Sequence, residues 1–118
     1  MQRFTDLDVW KRSHALALAI YKLSTALPSD ERFGLISQLR RAAVSVVANI
    51  AEGSKRRGKN EYARFLNIAE GSLAEVECLL FLCRDLKYLK AEQIASSLQE
   101  ASEIARMLNA LRTKVEKG

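Results

Sequence analysis

The sequence predicts an all-α protein that folds as one antiparallel, up-down-up-down four-helix bundle over residues 1–118. Apolar residues recur at helical spacings of three and four along four long segments, and no segment alternates as a half-buried strand would. Pro28, Gly34, Gly53 and Gly58 divide these segments. Because the segments are long and the connections short, sequential helices should pack as antiparallel neighbours around one core.

The first predicted helix begins at Asp6 or Leu7 and ends at Leu27, and Thr5 or Asp6 should cap it. Two adjacent apolar stripes give this helix a wide buried face. The stripes are Leu7, Trp10, His14, Ala17 and Tyr21, and beside them Leu16, Ile20, Leu23 and Leu27. His14, the single histidine, is therefore expected in the core or at an interface rather than in a catalytic site.

The second predicted helix runs from about Glu31 to Glu52, and Asn49 lies on its core stripe. Gly53 follows directly and is placed to end the helix in a left-handed conformation. A buried amide without partners costs about 1–3 kcal/mol. We therefore predict a structural hydrogen bond for Asn49, which would also fix the register of the helices. Contact with a ligand is the alternative.

Glu52 lies at the carboxyl end of the second helix, where the helix dipole disfavours an acid. We expect a nearby cation to compensate it. The candidates are a basic side chain of the following loop, and Arg40 or Arg41 of a neighbouring subunit. The second candidate makes Glu52 an assembly residue rather than a catalytic one.

The third predicted helix runs from about Asn60 to Leu86 and the fourth from about Ala91 to Lys114. The third is apolar on more than one face, and because a simple bundle needs one core face, the surplus predicts self-association. Gly71 interrupts its interior, where glycine costs about 1 kcal/mol relative to alanine. We expect close helix packing to require this glycine, with a ligand niche as the alternative.

The positive charge of the chain is concentrated in one segment. The net charge is +5, and residues 40–64 contain seven basic and two acidic residues, so this segment carries the whole excess. The basic residues are Arg40, Arg41, Lys55, Arg56, Arg57, Lys59 and Arg64. They predict two basic zones on the order of 20 Å apart along the helix. Such zones can bind the phosphates of RNA or DNA without sequence preference; a solvated, solubilising loop is the alternative.

Few aromatic residues lie among the cations of the basic segment. The nearby Tyr62 lies on a core stripe of the third helix, so base stacking on a single-strand platform is not expected.

Several classes of protein are excluded by sequence pattern. The longest apolar run is too short for a transmembrane helix, and no secretory signal is visible, so we expect a cytoplasmic protein without membrane contact. Cys78 and Cys83 lie too far apart on one helix for a disulfide and are expected to be buried and reduced. No metal-binding spacing, phosphate loop or nucleophile elbow occurs. We therefore predict no catalytic residue, no metal, no cofactor and no enzyme.

The stretch from Gln38 to Gly53, QLRRAAVSVVANIAEG, resembles the central motif of a bacterial four-helix-bundle family encoded within intervening sequences of 23S ribosomal RNA genes. Three further pieces agree with that family: Phe4, Leu7, Val9 and Trp10; Phe33-Gly34-Leu35; and the segment from Phe65 to Glu75. The resemblance implies a ring-like homopentamer. It also implies kinship with the accessory proteins of diversity-generating retroelements, which bind nucleic acid and a reverse transcriptase. Val47 stands where many relatives carry proline, so a kink expected there should be absent.

Two hypotheses about function follow. The first is a basic, oligomeric bundle that binds RNA or DNA through backbone phosphates. The second is a protein–protein scaffold, for example an accessory subunit of a reverse transcriptase, with no nucleic-acid role of its own. In both, the residues predicted to serve structure or assembly are Trp10, Asn49, Glu52, Gly53 and Gly71.

Overall fold

Four long helices make up almost all of the computed structural model, which describes residues 3–118. The helices are α1 (Asp8–Ser24), α2 (Leu35–Ser54), α3 (Lys59–Asp85) and α4 (Ala91–Lys117). Short 3₁₀ turns at Phe4–Asp6 and Ser29–Glu31 precede α1 and α2. The described chain has no strand, so the predicted all-α class is confirmed.

Each helix packs against two others, in the pairs α1–α2, α2–α3, α3–α4 and α1–α4. Side-chain contacts give the helix directions. Arg40, early in α2, donates to Ser24, the last residue of α1, and Arg112, late in α4, pairs with Glu70, early in α3. Neighbouring helices therefore run antiparallel in a bundle of 45 × 24 × 20 Å. Within residues 3–118, none of the helices combines the length and hydropathy needed to cross a membrane.

The core is aliphatic and lies along the bundle axis. Its fully buried large side chains include Ile20, Leu39, Ile50, Leu66, Leu73, Leu80, Ile94, Ile104 and Leu108.

α2 runs unbroken through Val47, as expected for valine at this position. Cys83 is buried, but Cys78 is exposed, contrary to prediction, because it lies on the outward face of α3.

α1 begins at Asp8, one residue after Leu7, and ends at Ser24, three residues before the predicted end, and two residues of its predicted inner stripe are exposed. Leu7 is extended (φ −71°, ψ 127°) after the first 3₁₀ turn, and no side-chain hydrogen bond caps the helix. His14 and Tyr21 are exposed, whereas Leu16 and Ile20 of the second stripe are buried. The side chains of His14 and Tyr21 line a groove between α1 and α2, whereas Ala17 of the same stripe is buried in the core.

α2 begins four residues later than predicted, because Ser29–Glu31 forms a turn of its own and Gly34 leaves the helical conformation (φ −106°, ψ −111°). One carboxylate oxygen of Glu31 accepts a hydrogen bond from the Leu35 N–H at 3.1 Å. The other accepts one from the Tyr88 hydroxyl at 3.0 Å, which raises the pKa of Tyr88. Glu31 thus caps α2 and ties it to the connection after α3.

Gly53 does not form the predicted left-handed cap. α2 continues to Ser54 and ends at Lys55 in a right-handed conformation (φ −96°, ψ −4°). Gly53 is buried, and a Cβ placed there would lie 2.8 Å from the Cβ of Phe65 and 3.2 Å from Cδ1 of Tyr62. The glycine is needed because α2 and α3 approach closely at this point.

Gly71 is exposed on α3, and nothing lies within 4 Å of the position a Cβ would take, so close packing within the chain does not explain it. Gly71→Ala is expected to raise the free energy of unfolding by about 0.5–1 kcal/mol, because alanine loses less backbone entropy in a helix. Urea denaturation measures the change. A less stable variant would contradict this expectation and indicate a contact between copies at Gly71.

Candidate nucleic-acid interface

The connection between α2 and α3 presents a run of exposed cations. It comprises only the residues from Lys55 to Gly58, and Lys59 opens α3. Lys55, Arg56, Arg57 and Lys59 are all exposed. Across residues 3–118, these four side chains take part in no ion pair. The basic loop, defined as these four cations, is therefore exposed and forms no ion pair with the rest of the described chain.

The ring of Phe65 supports two arginines of this region. The guanidinium carbons of Arg56 and Arg64 lie 4.7 and 4.9 Å from the ring centroid. Phe65 itself is buried, at 8% exposure, beneath the close approach at Gly53. A cation–π contact at a surface has a stabilising energy of about 0.5–1 kcal/mol and restricts the positions that the arginine side chain can take. The buried ring of Phe65 thus contacts both Arg56 and Arg64.

Arg64 is engaged by Glu61, one turn before it on α3. Its Nε and Nη2 donate to the two carboxylate oxygens, each at 3.1 Å. These hydrogen bonds lower the pKa of Glu61, and the charges of Arg64 and Arg56 lower it further. Glu61 therefore stays ionised at neutral pH and competes with any anion that approaches Arg64.

Arg40 and Arg41 lie near the other end of α2, and only one of them is fully available. Nε of Arg40 donates to the Ser24 hydroxyl at 2.8 Å, and its guanidinium lies 4.7 Å from the ring centroid of Tyr21. Arg41 is exposed and donates only to Ser37 of its own helix, at 3.4 Å. The predicted basic segment is thus divided between two places, and Arg40 also joins α1 to α2.

Two aromatic residues that sequence reasoning did not assign to a site lie beside these arginines. Phe33 is 88% exposed and Tyr21 is 42% exposed. Both line a groove of about 490 Å³ together with Arg40 and Arg41. An arginine directly before an aromatic residue, Arg32-Phe33, could have been recognised in the sequence as a candidate binding feature. The position of Tyr21 could not, because it depends on how α1 packs against α2.

Asn49 is half-buried and makes the kind of structural contact predicted for it. Its Nδ2 donates to the Ser45 carbonyl at 2.8 Å and to the Ser45 hydroxyl at 3.0 Å. The Ser45 hydroxyl in turn shares a hydrogen bond of 2.8 Å with that of Ser72 on α3. Asn49 therefore orients Ser45, and Ser45 makes the contact between α2 and α3.

Trp10 and Glu52 occupy opposite environments. Trp10 is half-buried, meets Phe4 edge to face at a centroid distance of 5.3 Å, and stacks on His14 at 4.8 Å. Glu52 is exposed and forms no ion pair among residues 3–118, so the basic loop does not compensate its charge.

Among the described side chains, no group of three or more His, Cys, Asp or Glu is arranged to hold a metal ion.

The family model for 23S rRNA-intervening sequence proteins matches residues 5–110. The chain belongs to this family. A solved structure of a protein with unknown function from the S23 ribosomal protein family of Bacteroides thetaiotaomicron VPI-5482 has a TM-score of 0.82 at 28% identity. The match covers 88% of this chain and 97% of that one. No curated protein is similar enough to match. Membership in the 23S rRNA-intervening sequence proteins confirms the resemblance carried by Gln38–Gly53.

Proposed function

We propose that this 23S rRNA-intervening sequence protein is a non-catalytic, cytoplasmic protein that binds RNA or DNA by its backbone phosphates through the basic loop. The observation that carries the proposal is the exposed run of Lys55, Arg56, Arg57 and Lys59, which forms no ion pair among residues 3–118. Arg64, which contacts the same Phe65 ring as Arg56, extends this surface. Contacts to phosphates supply affinity and position without reading sequence.

We also propose that the chain forms a homo-oligomer, with the pentameric ring taken from the family resemblance. Support comes from large apolar side chains that the bundle leaves exposed away from the groove at the start of α2: Leu18, Ile68, Phe81, Leu82 and Leu86. Exposed apolar surface of this kind marks interaction sites. In such an assembly Glu52 pairs with Arg40 of a neighbouring copy, and the basic loops repeat around the ring, which raises affinity for a long polyanion.

The second candidate function is a scaffold for a protein partner, for example a reverse transcriptase. It is favoured by an apolar groove of about 330 Å³ between α1 and α2, where Leu18 and Val44 are exposed. A partner recovered by pull-down after nuclease treatment supports this alternative.

A salt series of binding measurements tests the proposed function. Short RNA and DNA duplexes are titrated with the protein, and the mass of each complex is measured by light scattering. Four loop cations predict a slope of log affinity against log salt concentration of about −3 to −4 per subunit. Binding that is undetectable at low ionic strength, or insensitive to salt, contradicts the proposal.

The ion pair between Glu61 and Arg64 gives a further prediction. Glu61→Gln is expected to strengthen duplex binding about two- to fivefold, because it removes the anion that competes with phosphate for Arg64. The matched control is Glu103→Gln, which releases Arg106 from an ion pair of the same spacing on α4. Anisotropy titrations of both variants should separate them, and equal effects would show that only net charge matters.

A further inference from the structure

A surface near the start of α2 combines exposed rings with arginines and lies apart from the basic loop. It is the groove of about 490 Å³ described above, and the aromatic–arginine surface is defined by Tyr21, Arg32, Phe33, Ser37, Arg40 and Arg41. None of the residues lining this groove is acidic. The fourteen helical steps from Arg41 to Lys55 separate it from the basic loop by roughly 20 Å.

Phe33 is the most exposed large apolar side chain in the described chain, at 88%. The guanidinium of Arg32 lies 5.7 Å from its ring centroid. Aromatic side chains normally contribute their area to a core or an interface. A ring this open lies beside the cation of Arg32 in a groove that also contains the apolar side chains of Ile36 and Val44, so it offers a flat face to a ligand with both planar and anionic groups.

Tyr21 and Arg40 provide a second flat element in the same groove. The Arg40 guanidinium lies over the Tyr21 ring, and the hydrogen bond to Ser24 holds it in that orientation. Bases of single strands stack on aromatic rings and on arginine planes alike. Arg41, which is exposed, and Arg32 remain able to reach phosphates at the rim.

We propose that the aromatic–arginine surface binds single-stranded RNA or DNA, with a base stacked on Phe33 and phosphates held by Arg32 and Arg41. Charge complementarity selects this occupant: the lining combines three arginines with aromatic and aliphatic side chains and contains no acid, and an unpaired strand presents both flat bases and anionic phosphates. A duplex cannot use the site in the same way, because its bases are already stacked. The basic loop and this surface therefore prefer different forms of nucleic acid.

Substitutions at Phe33 test the proposal with oligouridylate and a duplex of equal length as probes. Phe33→Ala and Phe33→Leu are each expected to weaken single-strand binding about tenfold, because base stacking on an aromatic ring is lost. Phe33→Trp should retain affinity, and its fluorescence should be quenched by the bound strand. Duplex binding should be unchanged in all three variants. Phe81→Ala is the matched control, since Phe81 is 40% exposed beneath Arg84 but lies outside the surface.

Three outcomes would overturn this inference. Wild-type affinity of Phe33→Leu for the single strand would indicate apolar contact rather than stacking. Equal losses in Phe33→Ala and Phe81→Ala would show that the surface has no special role. A changed oligomer mass with intact single-strand binding would assign Phe33 to a contact between copies.

Discussion

Reversing three cations of the basic loop, in the variant Lys55→Glu/Arg56→Glu/Arg57→Glu, is expected to lower the affinity for a nucleic-acid duplex on the order of 100-fold. Each cation that contacts a phosphate releases a counterion, so the slope of log affinity against log salt concentration should fall by about three. The fold should survive, because all three side chains are exposed and form no ion pair among residues 3–118. Fluorescence anisotropy with a labelled duplex measures both quantities.

A charge-matched control separates the site from the net charge of the protein. Lys22, Lys87 and Lys90 are exposed at the opposite end of the bundle, and their reversal changes the net charge equally. This control is expected to bind the duplex within about threefold of wild type, because exposed charges farther apart than a Debye length of about 10 Å are largely screened. Equal losses in the two triple variants would contradict a localised phosphate site.

Gly53→Val is expected to destabilise the fold by about 3 kcal/mol, because overpacking a tight contact forces backbone movement. The Cβ of Phe65 lies 2.8 Å from the position of a new Cβ and can yield only if α3 moves away from α2. For a chain of this size the melting temperature should fall on the order of 10 °C. Thermal denaturation followed by circular dichroism measures the loss.

Substitution of Gly53 and of Gly71 by alanine provides the control for this prediction. Gly53→Ala should also destabilise, whereas Gly71→Ala should stabilise, although both substitutions remove the same backbone freedom. The opposite signs follow from contact at Gly53 and open space at Gly71. Stability of Gly53→Val equal to wild type would mean that the helices are not in close contact there.

The four helices could be predicted because each carries a sustained apolar period, and a period of 3.6 has one main structural solution. The residues at which the helices begin and end were harder to predict from the sequence. The turn at Ser29–Glu31 is held by Glu31, whose partner Tyr88 is distant in sequence. The buried face of α1 could not be identified from the sequence, because two apolar stripes lie side by side and the packing of the neighbouring helices determines which residues are buried.

The candidate site was predictable where it depends on local sequence alone. The basic loop is exposed, as a run of cations without a large apolar side chain indicates. Its support by Phe65 and the engagement of Arg40 by Ser24 were not predictable, because both require helix packing. The same holds for Tyr21, whose ring meets Arg40 only after α1 and α2 have come together.

The rigid length of α2 sets a spacing between the two cationic regions. The helix is continuous from Leu35 to Ser54, so Arg41 and Lys55 stay roughly 20 Å apart at 1.5 Å per residue. Nucleotides along one strand of a duplex rise by about 3.4 Å, so this distance corresponds to about six nucleotides. A duplex that contacts both Arg41 and the basic loop of one subunit must therefore extend over about six base pairs, and the length of α2 sets this number.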